Sequence, residues 1–256
     1  MIFNVGDLVS RNSYKNDVIF KILKIENDTV YLKGVEVRLL ADAPITDLII
    51  YKEKIDESIE VDIKSDDSRS SEFFYLPGKI LHLDGDGEYL DRCLKFYKSN
   101  NLFAVGKKIK EENMASQLNI MLKKYRPDIL VLTGHDAYYR KKGKENNIDN
   151  YKNSKYFIDA VQVARSYEKS HDKLVIIAGA CQSDYEDIIK AGANFASSPK
   201  RINIHALDPA IIATCVAITE RNKEINLIEL LNKTKYGADG MGGIVGNGLM
   251  YVGFPR

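Results

Sequence analysis

The sequence predicts an α/β protein: a doubly wound, mostly parallel sheet preceded by a small β unit. Two observations carry this. Before residue 51, short strand-like runs follow one another between turn residues, with no helical period among them. After Pro77, continuous apolar runs such as Ile129-Leu130-Val131-Leu132 and Leu174-Val175-Ile176-Ile177 alternate with segments of helical period. Strands that are apolar on both faces, each followed by a helix, belong to a parallel sheet covered on both sides.

The elements follow in chain order. Val5 to Val9 is a turn feeding a strand, Val18 to Ile25 is the next strand, and Glu26-Asn27-Asp28 turns into Thr29 to Lys33. Gly34 interrupts, and Val35 to Leu40 continues. Strands of this length and spacing suggest a small SH3-like barrel over residues 1–51. Nothing in it looks chemical, so docking is its expected role. Residues 52–76, charged and rich in Ser and Asp without a period, read as a linker in which Arg69 is accessible to a protease. Residues 77–256 form the second domain. Its strands are expected at Lys79–Leu83, Leu102–Ile109, Asp128–Thr133, Lys173–Ala178 and Phe195–Ser198. Helices are expected at Glu88–Asn100, at Ala115–Tyr125 before Arg126-Pro127, and from a Ser154 cap to Tyr167. Others span Asp184–Ala191, Ala206–Thr219 and Leu227–Thr234. Within the Gly-rich stretch from Gly237 to Gly253, Ile244-Val245 and Leu249–Val252 suggest a hairpin.

Composition excludes several classes. Lys+Arg at 37 against Asp+Glu at 36 leaves a net charge of +1, too little positive field for general nucleic-acid binding. No apolar run approaches the roughly 18 residues of a membrane span, and the N-terminus lacks the regions of a signal peptide. A soluble protein that begins in a cytoplasm is expected. Cys93, Cys181 and Cys215 are too scattered for a disulfide framework or a CxxC zinc site. No metal or cofactor is expected.

In doubly wound sheets, sites gather at the carboxyl ends of strands. Three predicted strands deliver polar groups there: Asp84-Gly85-Asp86, Gly134-His135-Asp136, and Gly179 to Ser183. An arbitrary cysteine is usually core filler. Cys181, however, lies where a strand opens toward a helix, a place that favours a thiolate and can aim its own N–H at an oxyanion. It is the expected nucleophile, and Cys93 and Cys215, on apolar helix faces, are core. His135 is the expected base. It ends another strand of the same sheet, about fifty residues upstream, as in caspase-type proteases. "ILVLTGHD" and "LVIIAGAC" resemble the two blocks of those enzymes. They depart from them in two places: glycine precedes His135 while Asp136 follows it, and Gln182-Ser183 follows the cysteine. The oxyanion donors are expected to be the N–H groups of Cys181 and Asp136.

His205 is the rival base, because G-x-C-x-S also resembles a nucleophile elbow, whose histidine follows the nucleophile. His82 reads as oriented by packing and His171 as solvated. D-G-D-G is a good turn by itself, and a Mg²⁺ phosphohydrolase reading of it lacks a second acidic cluster. Acid at this strand end would pair with a guanidinium, so Asp84 and Asp86 are the expected substrate-binding residues of a pocket for Arg or Lys. Arg140-Lys141-Lys142 and Lys144, in the loop 137–153, are a solvated run or, if the enzyme cuts after basic residues, a candidate lid or self-cleavage site.

"VGDLVSRNSY", "HLDGDGEYLDRCLKFY", "YRPDILVLTGHD", "NSKYFIDAVQVAR", "VIIAGACQSDYEDIIKAGANFASSPKRINIHALDP" and "GADGMGGIVGNG" together resemble the YabG family of sporulation-specific cysteine proteases. The resemblance covers nearly the whole chain. It implies a caspase-like protease domain that processes spore coat and cortex-related proteins after basic residues, and that cleaves itself. It also implies expression in the mother cell and later association with the spore coat, and its cysteine and histidine match Cys181 and His135. Two other readings stay open on the residues: an amidotransferase-like or elbow-type hydrolase using Cys181 and His205, and a non-catalytic coat scaffold.

Overall fold

The computed structural model describes residues 3–52, 63, 72–139 and 147–255. Contacts divide the chain into two units, Met1–Glu60 and Val61–Arg256. Arg69, and the basic run of Arg140-Lys141-Lys142 and Lys144, lie outside the described residues.

In the first unit, β1 (Leu8–Arg11), β2 (Phe20–Glu26), β3 (Thr29–Gly34), β4 (Leu40–Pro44) and β5 (Leu48–Ile50) form one antiparallel sheet in the order β4-β3-β2-β1-β5. Alternate residues Phe20, Ile22, Val30 and Leu32 turn inward onto Val9, Ala43 and Leu48. A register shift between Ile22 and Lys24 breaks the alternation, so that Lys24 is exposed and Ile25 turns toward the core. The expected strand Val35–Leu40 is instead a connection. The N–H of Gly34 donates to the Leu39 carbonyl at 2.7 Å, closing the reversal, and pairing resumes with Lys33 opposite Leu40.

In the second unit the elements are β6 (Phe74–Leu76), β7 (Ile80–Asp84), α1 (Gly87–Ser99), β8 (Ala104–Lys108), α2 (Glu111–Tyr125), β9 (Ile129–Thr133), α3 (Ser154–Tyr167) and β10 (Val175–Ala178). They continue as α4 (Tyr185–Lys190), β11 (Phe195–Ser197), α5 (Asp208–Ile218), α6 (Leu227–Leu231), α7 (Gly237–Gly240), β12 (Met241–Gly243) and β13 (Tyr251–Gly253). Six strands form a sheet in the order β12-β11-β10-β9-β7-β8, parallel except for β12. Leu81, Leu83, Leu130, Leu132, Ile176 and Ala178 pack one face of it against Met114, Leu118 and Leu122 of α2 and Phe157, Val161 and Ala164 of α3. Helices α1 and α5 pack on the strands and on each other.

Three elements differ from expectation, each for a physical reason. Helix α2 starts at Glu111 rather than Ala115, because Glu111 and Glu112 suit a first turn that carries little apolar signal. Residues 74–76, expected in the linker, form β6 by pairing with β13. The expected glycine-rich hairpin is absent: Met241–Gly243 joins the main sheet beside β11, and Tyr251–Gly253 pairs with β6. A Cβ on Gly243 would stand 2.4 Å from the Phe195 ring, so the close approach of β12 to β11 requires glycine there.

Leu132 is fully buried between the sheet and helices α2 and α3. Leu132→Ala is expected to lower unfolding free energy by about 2–5 kcal/mol, read as a lower urea midpoint at unchanged slope.

Candidate active site

Strand β7 has β8 on one side and β9 on the other, so successive connections leave it in opposite directions. A crevice at such a switch point, outside the carboxyl ends, is where doubly wound sheets bind ligands. His135 lies here, two residues beyond β9. Its backbone is fixed at both ends: its N–H donates to Glu111 Oε1 at 2.7 Å, and its carbonyl accepts from Asn153 Nδ2 at 2.7 Å. Nε2 of the ring is 3.0 Å from Asp86 Oδ2, and the Tyr89 ring lies 5.7 Å away at 58°. Nδ1 is buried and has no hydrogen-bond partner among the described residues.

Asp86 and Asp84 hold these positions from the end of β7. Asp86 is the N-cap of α1, its Oδ1 accepting from the N–H groups of Glu88 at 2.9 Å and Tyr89 at 3.3 Å. Asp84 is fully buried. It accepts from the Asp86 N–H at 2.9 Å and from Thr133 Oγ1 at 2.9 Å, and Thr133 Oγ1 in turn is 2.7 Å from His82 Nε2. Sealed in this way, the Asp84 carboxylate offers nothing to a substrate side chain in this conformation, against the expected basic pocket. The Glu111 carboxylate fills the space beside Gly85 and Gly134, where an added Cβ would stand 2.3 Å and 2.2 Å from Oε1. Glycine before His135 is thus the room that Glu111 needs.

The second turn follows β10. Gly179 (φ +108°) and Gln182 (φ +57°) bend it in the left-handed region. Cys181 is fully buried, its Sγ accepting from the Ile204 N–H at 3.2 Å and lying 3.7 Å from the Ile204 carbonyl. Gln182 is tied down by Ile202, Ser198 and Asn203, and its Oε1 accepts from the Tyr138 N–H at 3.2 Å. Helix α4 begins at Tyr185, and Asp184 caps it by accepting from the Asp187 N–H. A carboxylate therefore already serves the helix terminus that was expected to favour the Cys181 thiolate.

Asp136 joins the two turns. Its Oδ1 accepts from the N–H groups of Ala137 at 2.8 Å and Asn153 at 2.7 Å, and its Oδ2 from the hydroxyls of Ser154 at 2.5 Å and Ser183 at 3.0 Å. Ser183 Oγ in turn accepts from the Ala180 N–H at 2.8 Å, and Ser154 Oγ from the Asp184 N–H at 2.8 Å. Ser154 therefore stitches the site together, and Asn153 is the N-cap residue of α3. Burial pushes the Asp136 carboxyl above the usual carboxylate range, opposed by these four hydrogen bonds.

His205 directly follows Ile204, so it lies near the Cys181 turn, but its Nδ1 accepts from the Leu207 N–H at 3.1 Å and its own N–H donates to Asp208. His171 is bound by Arg165 rather than simply solvated. Cys93 and Cys215 are buried in α1 and α5, and burial pushes the Cys215 thiol up to about 11. Among the described residues, no group of three or more His, Cys, Asp or Glu is placed to hold a metal ion. No helix there is long and apolar enough to cross a membrane. Sequence reasoning missed Glu111 and Asn153, read Ser154 as the helix cap where Asn153 holds that position, and placed Ser183 at a strand end without giving it a role. Glu111 follows β8 at the same sheet edge, so the strand-end rule could have found it. Nothing in sequence marks Asn153 and Ser154 as site residues.

Known proteins place the chain further. The family described as YabG peptidase U57 matches residues 4–67 and 50–255. The "Sporulation-specific protease YabG" of Bacillus subtilis (strain 168) is 42% identical over 286 residues, covering 100% of this chain and 99% of that protein. A response regulator receiver protein from Pseudomonas putida aligns with 49% of this chain and 88% of its own, at 16% identity and a TM-score of 0.30.

Asp136→Ala leaves two hydroxyls and two backbone N–H groups without their acceptor, and is expected to cost about 3 kcal/mol of stability. Because the folded-state pKa of Asp136 is raised above its ordinary 3.8, this group contributes stability fully present below 3.8 and lost as pH rises through the folded value. Urea midpoints across that window should show this component in the wild type and not in Asp136→Asn.

Proposed function

The chain belongs to the YabG peptidase U57 family, and from that membership we propose that it is a cysteine endopeptidase acting in sporulation. The observation that carries the proposal is His135. An imidazole is fixed at the switch point of the sheet with Nδ1 buried and without a hydrogen-bond partner among the described residues, and Asp136 and Ser183 connect its segment to the turn of Cys181. In the mechanism, His135 takes the thiol proton of Cys181, and the sulfur attacks the peptide carbonyl carbon. The N–H groups of Cys181 and Asp136 are the assigned oxyanion donors. As the tetrahedral intermediate collapses, the C–N bond breaks and His135 returns its proton to the leaving amine. Water, deprotonated by His135, then hydrolyses the thioester and restores the thiol. Since Ile204 covers the sulfur, substrate binding must lift the segment 202–205 away.

Strand order supports a caspase-like domain, with histidine and cysteine in the turns that follow the adjacent strands β9 and β10. The five antiparallel strands of the first unit support an SH3-like docking barrel. The substrates we propose are spore coat and cortex-related proteins, cut after Arg or Lys by a protein of the mother cell that later joins the spore coat. A second reading, an amide hydrolase using Cys181 and His205, is favoured only by the closeness of Ile204 to the sulfur.

Cys181→Ala and His135→Ala are each expected to lower kcat/KM on a peptide library by at least about three orders of magnitude, with urea midpoints near wild type. His205→Ala should retain activity; the opposite pattern for the two histidines would promote the second reading. Mapped cuts not following Arg or Lys would overturn the basic preference. Intact mass of wild type against Cys181→Ala reads self-cleavage, which predicts a full-length variant and a shortened wild type.

A further inference from the structure

We propose that Asp86 is the positioning residue of His135: by accepting the Nε2–H it makes Nδ1 the nitrogen that takes the Cys181 proton. This rests on the protease reading above and deepens it, since it assigns Asp86 to the base rather than to a substrate pocket.

A neutral imidazole carries one N–H, and an ionised carboxylate can only accept. With Asp86 Oδ2 at 3.0 Å from Nε2, the proton belongs on Nε2. Nδ1 then carries a bare lone pair, and it is buried with no partner among the described residues. A buried acceptor left unsatisfied costs about 1–3 kcal/mol, so a fold that retains one keeps it for a partner that arrives later. In the proposed reaction that partner is the thiol proton.

The carboxylate is itself immobilised. Oδ1 is spent on the N–H groups of Glu88 and Tyr89, and the Asp86 N–H is held by Asp84. With one oxygen on the helix and the other on the ring, Asp86 is poorly placed to receive a substrate guanidinium as well. Other groups face His135 too: Tyr89 against the ring, Glu111 at its backbone N–H, and Asp136 next in sequence but turned toward Ser154 and Ser183. Of the contacts described for the ring, the Asp86 bond is the one that distinguishes its two nitrogens.

Asp86→Asn tests this, because asparagine caps a helix as well as aspartate while offering an amide N–H to Nε2. That donor draws the ring proton to Nδ1 and removes the base. The expected result is a kcat lower by roughly 10²–10⁴-fold, with KM, cut-site preference and urea midpoint near wild type. Asp86→Glu should recover part of the loss. Nitrogen-15 NMR of histidine-labelled protein, with His135→Gln to assign the signals, gives a readout independent of proteolysis. It should report an Nε2–H tautomer in the wild type and Nδ1–H in Asp86→Asn. Unchanged kcat with a weakened preference for basic residues, or an Nδ1–H tautomer in the wild type, would overturn the proposal. Full activity in Cys181→Ala or His135→Ala would instead overturn the protease reading itself, and the tautomer result would stand apart from it.

Discussion

The carboxylate of Asp136 is the interaction on which the rest of the site depends. It is nearly buried, and a carboxylate in that setting is unfavourable unless its lone pairs are used. All four of its bonds are made by segments that carry or border candidate chemistry. Two come from the backbone at Ala137 and Asn153, on either side of the loop that follows β9. The other two come from Ser154, which opens α3, and Ser183, in the turn after β10. Each serine hydroxyl also accepts a backbone N–H, so its proton has one direction left and its orientation is set. Adjacent parallel strands bring β9 and β10 together, but they do not fix the loops beyond them. Asp136 does.

A second carboxylate does comparable work across the crevice. Glu111 reaches the backbone of His135 from the start of α2, through space left open by Gly85 and Gly134. The glycine before His135 departs from the caspase blocks, which place a glycine after the histidine. Here the departure has a steric cause. Any side chain at residue 134 would displace the group that orients the next peptide. Position by position, the turn is built around Glu111 and Asp136 rather than around a borrowed pattern.

What was legible in sequence follows from this. The strands of the second unit were, because burial on both faces writes an unbroken apolar run, and so were the stripes of α1 and α3. The start of α2 was not, since Glu111 and Glu112 contribute dipole and hydrogen-bond terms rather than a period. The glycine-rich C-terminal stretch misled because hairpin chemistry is local, while β12 and β13 take partners from β11 and β6, distant in sequence. For the site, strand ends located His135, Cys181, Asp84, Asp86 and Asp136. They could not say which acids were free. Asp84 is sealed by Thr133 and by the Asp86 backbone, a matter of tertiary burial that no D-G-D-G spacing reveals. Ser183 was legible as a polar residue at a strand end, but not its bond to Asp136, which comes from the turn after another strand.

The acids of this sheet edge also bear on the proposed chemistry through their placement. A base that becomes an imidazolium gains from carboxylates near it, whereas a thiol that must ionise loses from them. Asp84, Asp86 and Glu111 all come from the ends of β7 and β8, on the side of β9 away from β10. The sulfur of Cys181 lies instead beyond β10, against the backbone of Ile204. Asp136, the acid that spans both turns, has its charge answered by four hydrogen-bond donors. In the proposed reaction, a proton moving from sulfur to imidazole therefore moves toward the acidic side of the crevice. The topological switch at β7 is what makes that asymmetry available, because it sends the acid-bearing turns one way and the cysteine-bearing turn the other.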